Sequence, residues 1–257
     1  MGNLNLGCER LVKVVAQAIL EIAIGISTCE PIKGHNWLKF TVVYEPIWCY
    51  DRLMIYNWQQ NDWPNFKYDL SEVEDIILAF AEKVGVVSGI IGTMPENIRS
   101  EAIIDMMVSE AIKTSEIEGE YLSRKDVMSS IKNNLGIHPR QEEGGDKRAQ
   151  GIAELMVALR NTYVEPLTAE TLFSWHKMVM KGRRLGEIGC WRTHEEPMQV
   201  VSGRMGKETV HFEAPHSKVI AKEMERFINW FNETGPSGPQ KIKRAIIRSA
   251  VTHIYFE

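Results

Sequence analysis

Apolar residues recur at three- and four-residue intervals along most of the chain after residue 69, the spacing of one buried helix face. Asp69 or Ser71 opens a helix running to about Gly92, in which Gly85 and Gly89, four apart, permit close helix contact. Thr93-x-x-Glu96 has capping-box spacing, with Pro95 in the first turn of the next helix. That helix puts Ile98, Ala102, Ile103, Met106 and Met107 on one face and ends near Gly119, a C-cap residue. Ser123-x-x-Asp126 starts another helix, which stops at Gly136, and "HPRQEEGGDK" reads as a polar loop. Further helices are predicted at about 146–162, 168–181, 217–233 and 239–257. One stretch breaks the period. "MQVV" and "ETVHFE" flank "SGRMGK" as a β-hairpin with a loose tip. The predicted fold is mainly α with one β-hairpin.

Residues 1–53 differ from the rest of the chain. They hold three of the four cysteines and a β-favouring run, "FTVVYEPIWCY". They are either a small extra element or an upstream extension that is not native. Met54 looks like a fresh start, which favours the extension. From "MIYNWQQNDWPNFKYD" the composition shifts, and Trp58, Trp63, Phe66 and Tyr68 gather around Pro64, a pattern that pins a loop onto a helical core. The organisation is therefore an extension at 1–53, a small helical domain at 54–136 and a second unit at 146–257.

Composition narrows the classes. Hydrophobic residues make up 44% and charged residues 25%, usual for a soluble globular chain. A net charge of −4 gives no general pull toward nucleic acid or a membrane surface. Cys8, Cys29, Cys49 and Cys190 lie far apart with no C-x-x-C pair, which suggests reduced thiols in a cytoplasmic protein. No apolar run reads as long and clean enough to span a bilayer. Leu11 to Cys29, the best, is broken by Lys13 and Glu21, and Glu21 also spoils a secretory signal. Phosphate-binding glycine loops, a nucleophile elbow and an H-E-x-x-H zinc pair are absent from the sequence. His211 and His216 have no acidic partners at ligand spacing, and "KIKR" at 241–244 reads as a solvated helix start.

"TSEIEGE", residues 114–120, is out of place on electrostatic grounds. It ends a helix with Glu116, Glu118 and Glu120, although a helix C-terminus is the negative end of the backbone dipole and favours cations. Either these acids are solvated, or one is aimed at something positive elsewhere in the fold.

Four segments, in order, resemble Fic proteins. "TSEIEG" fits the inhibitory-helix pattern [S/T]-x-x-x-E-[G/N] through Thr114, Glu118 and Gly119. "NWQQNDWPNFKYD" looks like the small helical domain that often precedes a Fic core. "GEIGCWRTHEEPMQVVSG…VHFEAPHSKVIAKEMERFINWFNE" is similar to the stretch with the flap hairpin and the helix after it. "AIIRSAVTHIYFE" resembles the helix leading into the Fic signature. The likeness covers about 54–257 and implies a Fic-like helical core at 146–257 with a β-hairpin flap.

The resemblance also implies a chemistry: transfer of AMP from ATP, with Mg²⁺, to a hydroxyl of a target protein. Glu118 would be the inhibitory glutamate, with Thr114 and Gly119 completing the motif and Glu116 and Glu120 solvated. Val200, Val201, Ser202 and Gly203 would line the flap edge that holds the target segment by strand addition. The family signature H-P-F-x-[D/E]-G-N-G-R supplies the catalytic base, the Mg²⁺ ligand and the phosphate turn, and it would begin just beyond Glu257. His253 lacks the Pro-Phe that follows the catalytic histidine. The 257-residue chain is therefore expected not to adenylylate anything. Self-association is common in the family, so a homo-oligomer is a further expectation. Two other readings stay open: a non-enzymatic, antitoxin-like protein-binding module, and a Fic relative that transfers a different phosphate-containing group.

Overall fold

The computed structural model describes residues 55–117, 119–137, 145–183, 187–204 and 207–256. The "FTVVYEPIWCY" run and the rest of 1–53 lie outside the described residues, as does Glu118. The fold is mainly helical with a two-stranded antiparallel hairpin. In order the elements are a 3-10 turn (Asn57–Gln59), α1 (Glu74–Thr93), α2 (Glu96–Ile117), α3 (Arg124–Asn134), α4 (Lys147–Thr162), α5 (Ala169–Val179), β1 (Gln199–Arg204), β2 (Lys207–Glu213), α6 (Ser217–Glu233) and α7 (Ala245–Phe256).

α4 is the centre of the core. Ala149, Ile152, Ala153, Leu155, Met156, Val157 and Leu159 are all buried, which leaves it little solvated face. Against it pack Ile104, Met107, Val108 and Ala111 of α2, Val127 and Ile131 of α3, and Leu172, Trp175 and Val179 of α5. Each leucine, isoleucine, valine or methionine among them contributes about 1.5–3 kcal/mol when removed from water. Gly151 lets α4 and α5 touch by backbone, since a Cβ there would stand 2.0 Å from the Met178 carbonyl oxygen. A second layer is aromatic. Phe66, Trp230, Phe227 and Tyr255 meet at centroid distances of 5.3–6.3 Å, joining the segment before α1 to α6 and α7. Trp63 packs edge-on to Tyr255 at 5.1 Å. The expectation that these aromatics pin a loop to the helices is met by Trp63 and Phe66, whereas Tyr68 is half exposed.

Helix boundaries follow side-chain chemistry. Ser123 caps α3 through Asp126 N–H, Asp146 caps α4 through Arg148 N–H and Thr168 caps α5 through Thr171 N–H. Several expectations are corrected. α1 starts at Glu74, not at 69 or 71, because the Asp69 carboxylate is occupied by the backbone N–H and hydroxyl of Ser71 in a tight turn. Thr93 caps nothing ahead of it, since its hydroxyl donates back to the Ile90 carbonyl. The buried face of α2 is Ile104, Met107, Val108, Ala111, Thr114 and Ser115, so Met107 is in but Ile98 is 49% exposed. The last helix likewise begins at Ala245, later than residue 239.

α1 departs most from expectation. Its glycines meet nothing, as a Cβ on Gly85 or Gly89 would have no atom within 4 Å, so they are not sites of close helix contact. By length and composition α1 is apolar enough to cross a membrane, a property the sequence pattern was not expected to give any segment. Ile77, Val84, Ser88 and Ile91 turn toward the body, and most of the remaining surface is exposed. Its N-terminus is tied down by Arg244, 3.8 Å from Glu74.

Candidate functional site

The end of α2 is closed by a Schellman motif. Gly119 adopts φ +78°, its N–H donates to the Glu116 carbonyl at 3.0 Å, and the Glu120 N–H reaches the Ser115 carbonyl at 2.8 Å. Thr114 and Ser115 are each 1% exposed, and the Ser115 hydroxyl donates to the Ala111 carbonyl. The α2 terminus is thus held by a buried pair and closed by a glycine turn.

Among the described residues, Glu120 is the acid of this run aimed at positive charge elsewhere in the fold. Its carboxylate accepts from Arg148 Nη1 at 2.9 Å and from Arg183 Nη2 at 2.7 Å. The expectation that Glu120 is solvated is therefore overturned, while Glu116 pairs locally with Lys113 at 2.6 Å. Arg148 lies in the first turn of α4, the end where the dipole disfavours cations. Asp146 offsets this, gripping the same guanidinium at 2.8 Å. That grip holds the Asp146 carboxyl below its usual range, and Asp146 first, then Glu120, raises the Arg148 pKa. Two helix ends of unfavourable charge thereby neutralise each other. Sequence reasoning missed Arg148 and Arg183. A base in a first helical turn was the available signal for Arg148; Arg183 carried none. Since Arg148 is 44% exposed and Glu120 25%, Glu120→Ala is expected to cost about 1 kcal/mol in a urea titration at low ionic strength, and less in about 1 M salt.

The hairpin is the second place of interest. Gln199 pairs with Glu213, Val200 with Phe212, Val201 with Val210, Ser202 with Thr209, Gly203 with Glu208 and Arg204 with Lys207. The ladder therefore runs closer to the tip than the sequence suggested. His211 is the extra residue of a bulge between Val200 and Val201, and its Nε2 lies 2.6 Å from the Ser202 hydroxyl. Val200 is 58% exposed, Val201 is partly covered, Ser202 is exposed, and Gly203 takes φ +116°.

One end of β2 is secured from the far end of the chain. Trp58 Nε1 donates to the Glu213 carbonyl at 2.7 Å, and Tyr56 meets Phe212 edge-on at 5.4 Å. The helix end is tied to α4 and Arg183, and the hairpin to residues 56–58.

Two shallow clefts lie elsewhere. One, of about 410 Å³, borders Phe66, Tyr68, Trp230 and Val251. The other, of about 390 Å³, follows Asp105, Ser109, Lys113 and Arg124. Neither contains a residue of the inhibitory motif or of the flap edge. Among the described residues no group of three or more His, Cys, Asp or Glu could hold a metal ion.

Residues 56–137 match a family model described as a domain of unknown function, DUF4172. The match takes in α1, α2 and α3 with the aromatic segment before them, under half of the chain. No curated protein matches the chain.

Proposed function

We propose that this chain is the scaffold of a self-inhibited Fic-type protein adenylyltransferase, in which the end of α2 is the switch and β1 is the docking edge for a target. The observation that carries the reading is the anchoring of the motif Thr114-x-x-x-Glu118-Gly119. Thr114 is buried, Gly119 is in the left-handed conformation and Glu120 is held by two guanidiniums. The reading takes the Glu118 carboxylate, in the acid position of this motif, as the competitor of a nucleotide phosphate. Such a carboxylate about 4 Å from a nucleotide phosphate costs on the order of 4 kcal/mol at an effective dielectric of about 20. That is roughly a thousandfold in population.

The hairpin's part is positional. Val200 to Gly203 lie on one strand of a two-stranded sheet, and an extended segment added there gains main-chain hydrogen bonds without depending on its own side chains. ATP and Mg²⁺ belong to the reading through the resemblance. The catalytic histidine, metal-binding acid and phosphate turn of the family are not among the 257 residues, so this chain's own contribution is to orient the target and to hold the inhibitory acid.

The test is label transfer from ATP carrying the label on its α-phosphate. The 257-residue chain is expected to take up none. The protein carrying a Fic signature after Glu257 is expected to label itself, and at least tenfold more with Glu118→Gly. Equal labelling with and without that substitution would refute the switch, and no labelling in either would refute the transferase. The exposed β1 edge also serves a purely protein-binding module, the second reading. Retrieval of a partner by the 257-residue chain without any nucleotide, together with a stop codon after Glu257, would favour it.

A further inference from the structure

α1 shows solvent a surface that its sequence does not suit. Ile76, Phe80, Val86, Val87 and Ile90 are 64%, 40%, 58%, 46% and 53% exposed. With Ala79 and Lys83, also exposed, they form one stripe at positions 76, 79, 80, 83, 86, 87 and 90, the spacing of a helix-packing seam. This stripe flanks the half-buried face of Ile77, Val84 and Ser88, roughly a third of a turn around the helix, and the described residues leave its large apolar side chains 40–64% exposed.

The seam also reads alike from either end. Seven residues to each side of Lys83 stands an isoleucine, Ile76 and Ile90. Three to each side stand Phe80 and Val86, and four to each side stand Ala79 and Val87. A helix with this symmetry is complementary to its own reversed copy, the requirement for an isologous two-fold contact.

Charge singles out the same occupant. Glu82 and Lys83 sit mid-helix and neither has a partner among the described residues. Being adjacent, they do not face each other on one helix. About an antiparallel two-fold axis near Lys83, each long lysine stem can lean its ammonium toward the Glu82 of the other copy. The four charges then sum to zero. A bilayer would offer them no such pairing and would hold both at mid-depth, where ionised side chains are most costly.

We propose that α1 is a dimerisation helix whose seam Ile76–Phe80–Lys83–Val87–Ile90 packs antiparallel against the same seam of a second copy of this chain. This does not depend on the adenylyltransferase reading, which concerns α2 and the hairpin.

The experiment is sedimentation equilibrium on the full chain, with helicity followed by circular dichroism. A mass near twice 29.4 kDa is expected at micromolar concentration. Lys83→Glu gathers four acids at the axis and is expected to weaken association by about tenfold or more. Glu82→Lys combined with Lys83→Glu restores the opposite charges and with them the dimer. All of these positions are exposed, so helicity should not change. A mixture of Ile76→Cys chains and Ile90→Cys chains is expected to form the mixed disulfide between positions 76 and 90. A monomer at about 100 μM, a dimer indifferent to Lys83→Glu, or a monomer that partitions onto neutral phospholipid vesicles through α1 would each overturn the proposal.

Discussion

Gly151→Ala is expected to lower the thermal midpoint by roughly 6–12 °C, corresponding to a loss of about 3 kcal/mol. The sign is the informative part. In an ordinary helix interior, replacing glycine by alanine helps by about 1 kcal/mol, because it removes backbone freedom from the unfolded chain. At position 151 the added methyl would lie 2.0 Å from the Met178 carbonyl oxygen and 2.9 Å from Lys181 Cβ. The first obstacle is backbone, so relief requires α4 and α5 to move apart. That movement would loosen the contact of α4 with Leu172, Trp175 and Val179. The comparison is Gly85→Ala in α1, where a Cβ meets nothing within 4 Å and the ordinary gain of about 1 kcal/mol applies. Calorimetry on the two variants reads opposite shifts. A neutral or stabilising result at 151 would show that the two helices do not approach this closely.

Arg248→Ala is expected to cost about 2–4 kcal/mol. Arg248 is only 3% exposed. Its Nη2 donates to the Phe231 carbonyl at 2.7 Å, its Nε reaches the Thr234 hydroxyl at 3.4 Å, and its guanidinium carbon sits 4.0 Å over the Phe231 ring. Phe231 lies in the last turn of α6, whose carbonyls lack helical partners and whose dipole favours a cation. Arg248 is therefore a cap supplied to α6 by α7. Burial pulls its pKa down to about 10, so it keeps its charge at neutral pH. Truncation empties a volume in the interior and takes a donor from a carbonyl. Arg248→Met refills most of that volume with apolar atoms and removes the desolvated charge, so it should cost less than alanine. Urea midpoints rank the variants. Alanine and methionine equal to wild type would show that the guanidinium does not join α6 to α7.

Particular residues show how far the fold could be read from the chain. The α6 boundaries at 217 and 233, the Ser123 cap and the Gly119 and Gly136 terminators follow from short-range chemistry that a single sequence displays. Errors arose where a side chain had two uses. Asp69 and Thr93 looked like caps, but Asp69 closes a turn of its own and Thr93 bonds backward. At the candidate site the helix end and its terminating glycine were legible, because both depend on neighbours within five residues. The cations were not. Arg148 is 28 residues from Glu120 and Arg183 is 63, and only the packing of α2 beside α4, with the turn after α5 alongside, brings them together. α1 was misjudged for a related reason. Its apolar period marks a helix but not which side of it the chain will cover.

The attachment of Trp58 to the end of β2 makes the two strands unequal. A sheet of two strands has two bare flanks, and each is a template on which another chain could add. Here the flank at Phe212 and Glu213 is guarded by residues 56–58, and the flank along Val200 to Gly203 is open. A strand arriving beside β2 would therefore meet Trp58 at the Phe212–Glu213 end, whereas one arriving beside β1 meets exposed Val200, Ser202 and Gly203.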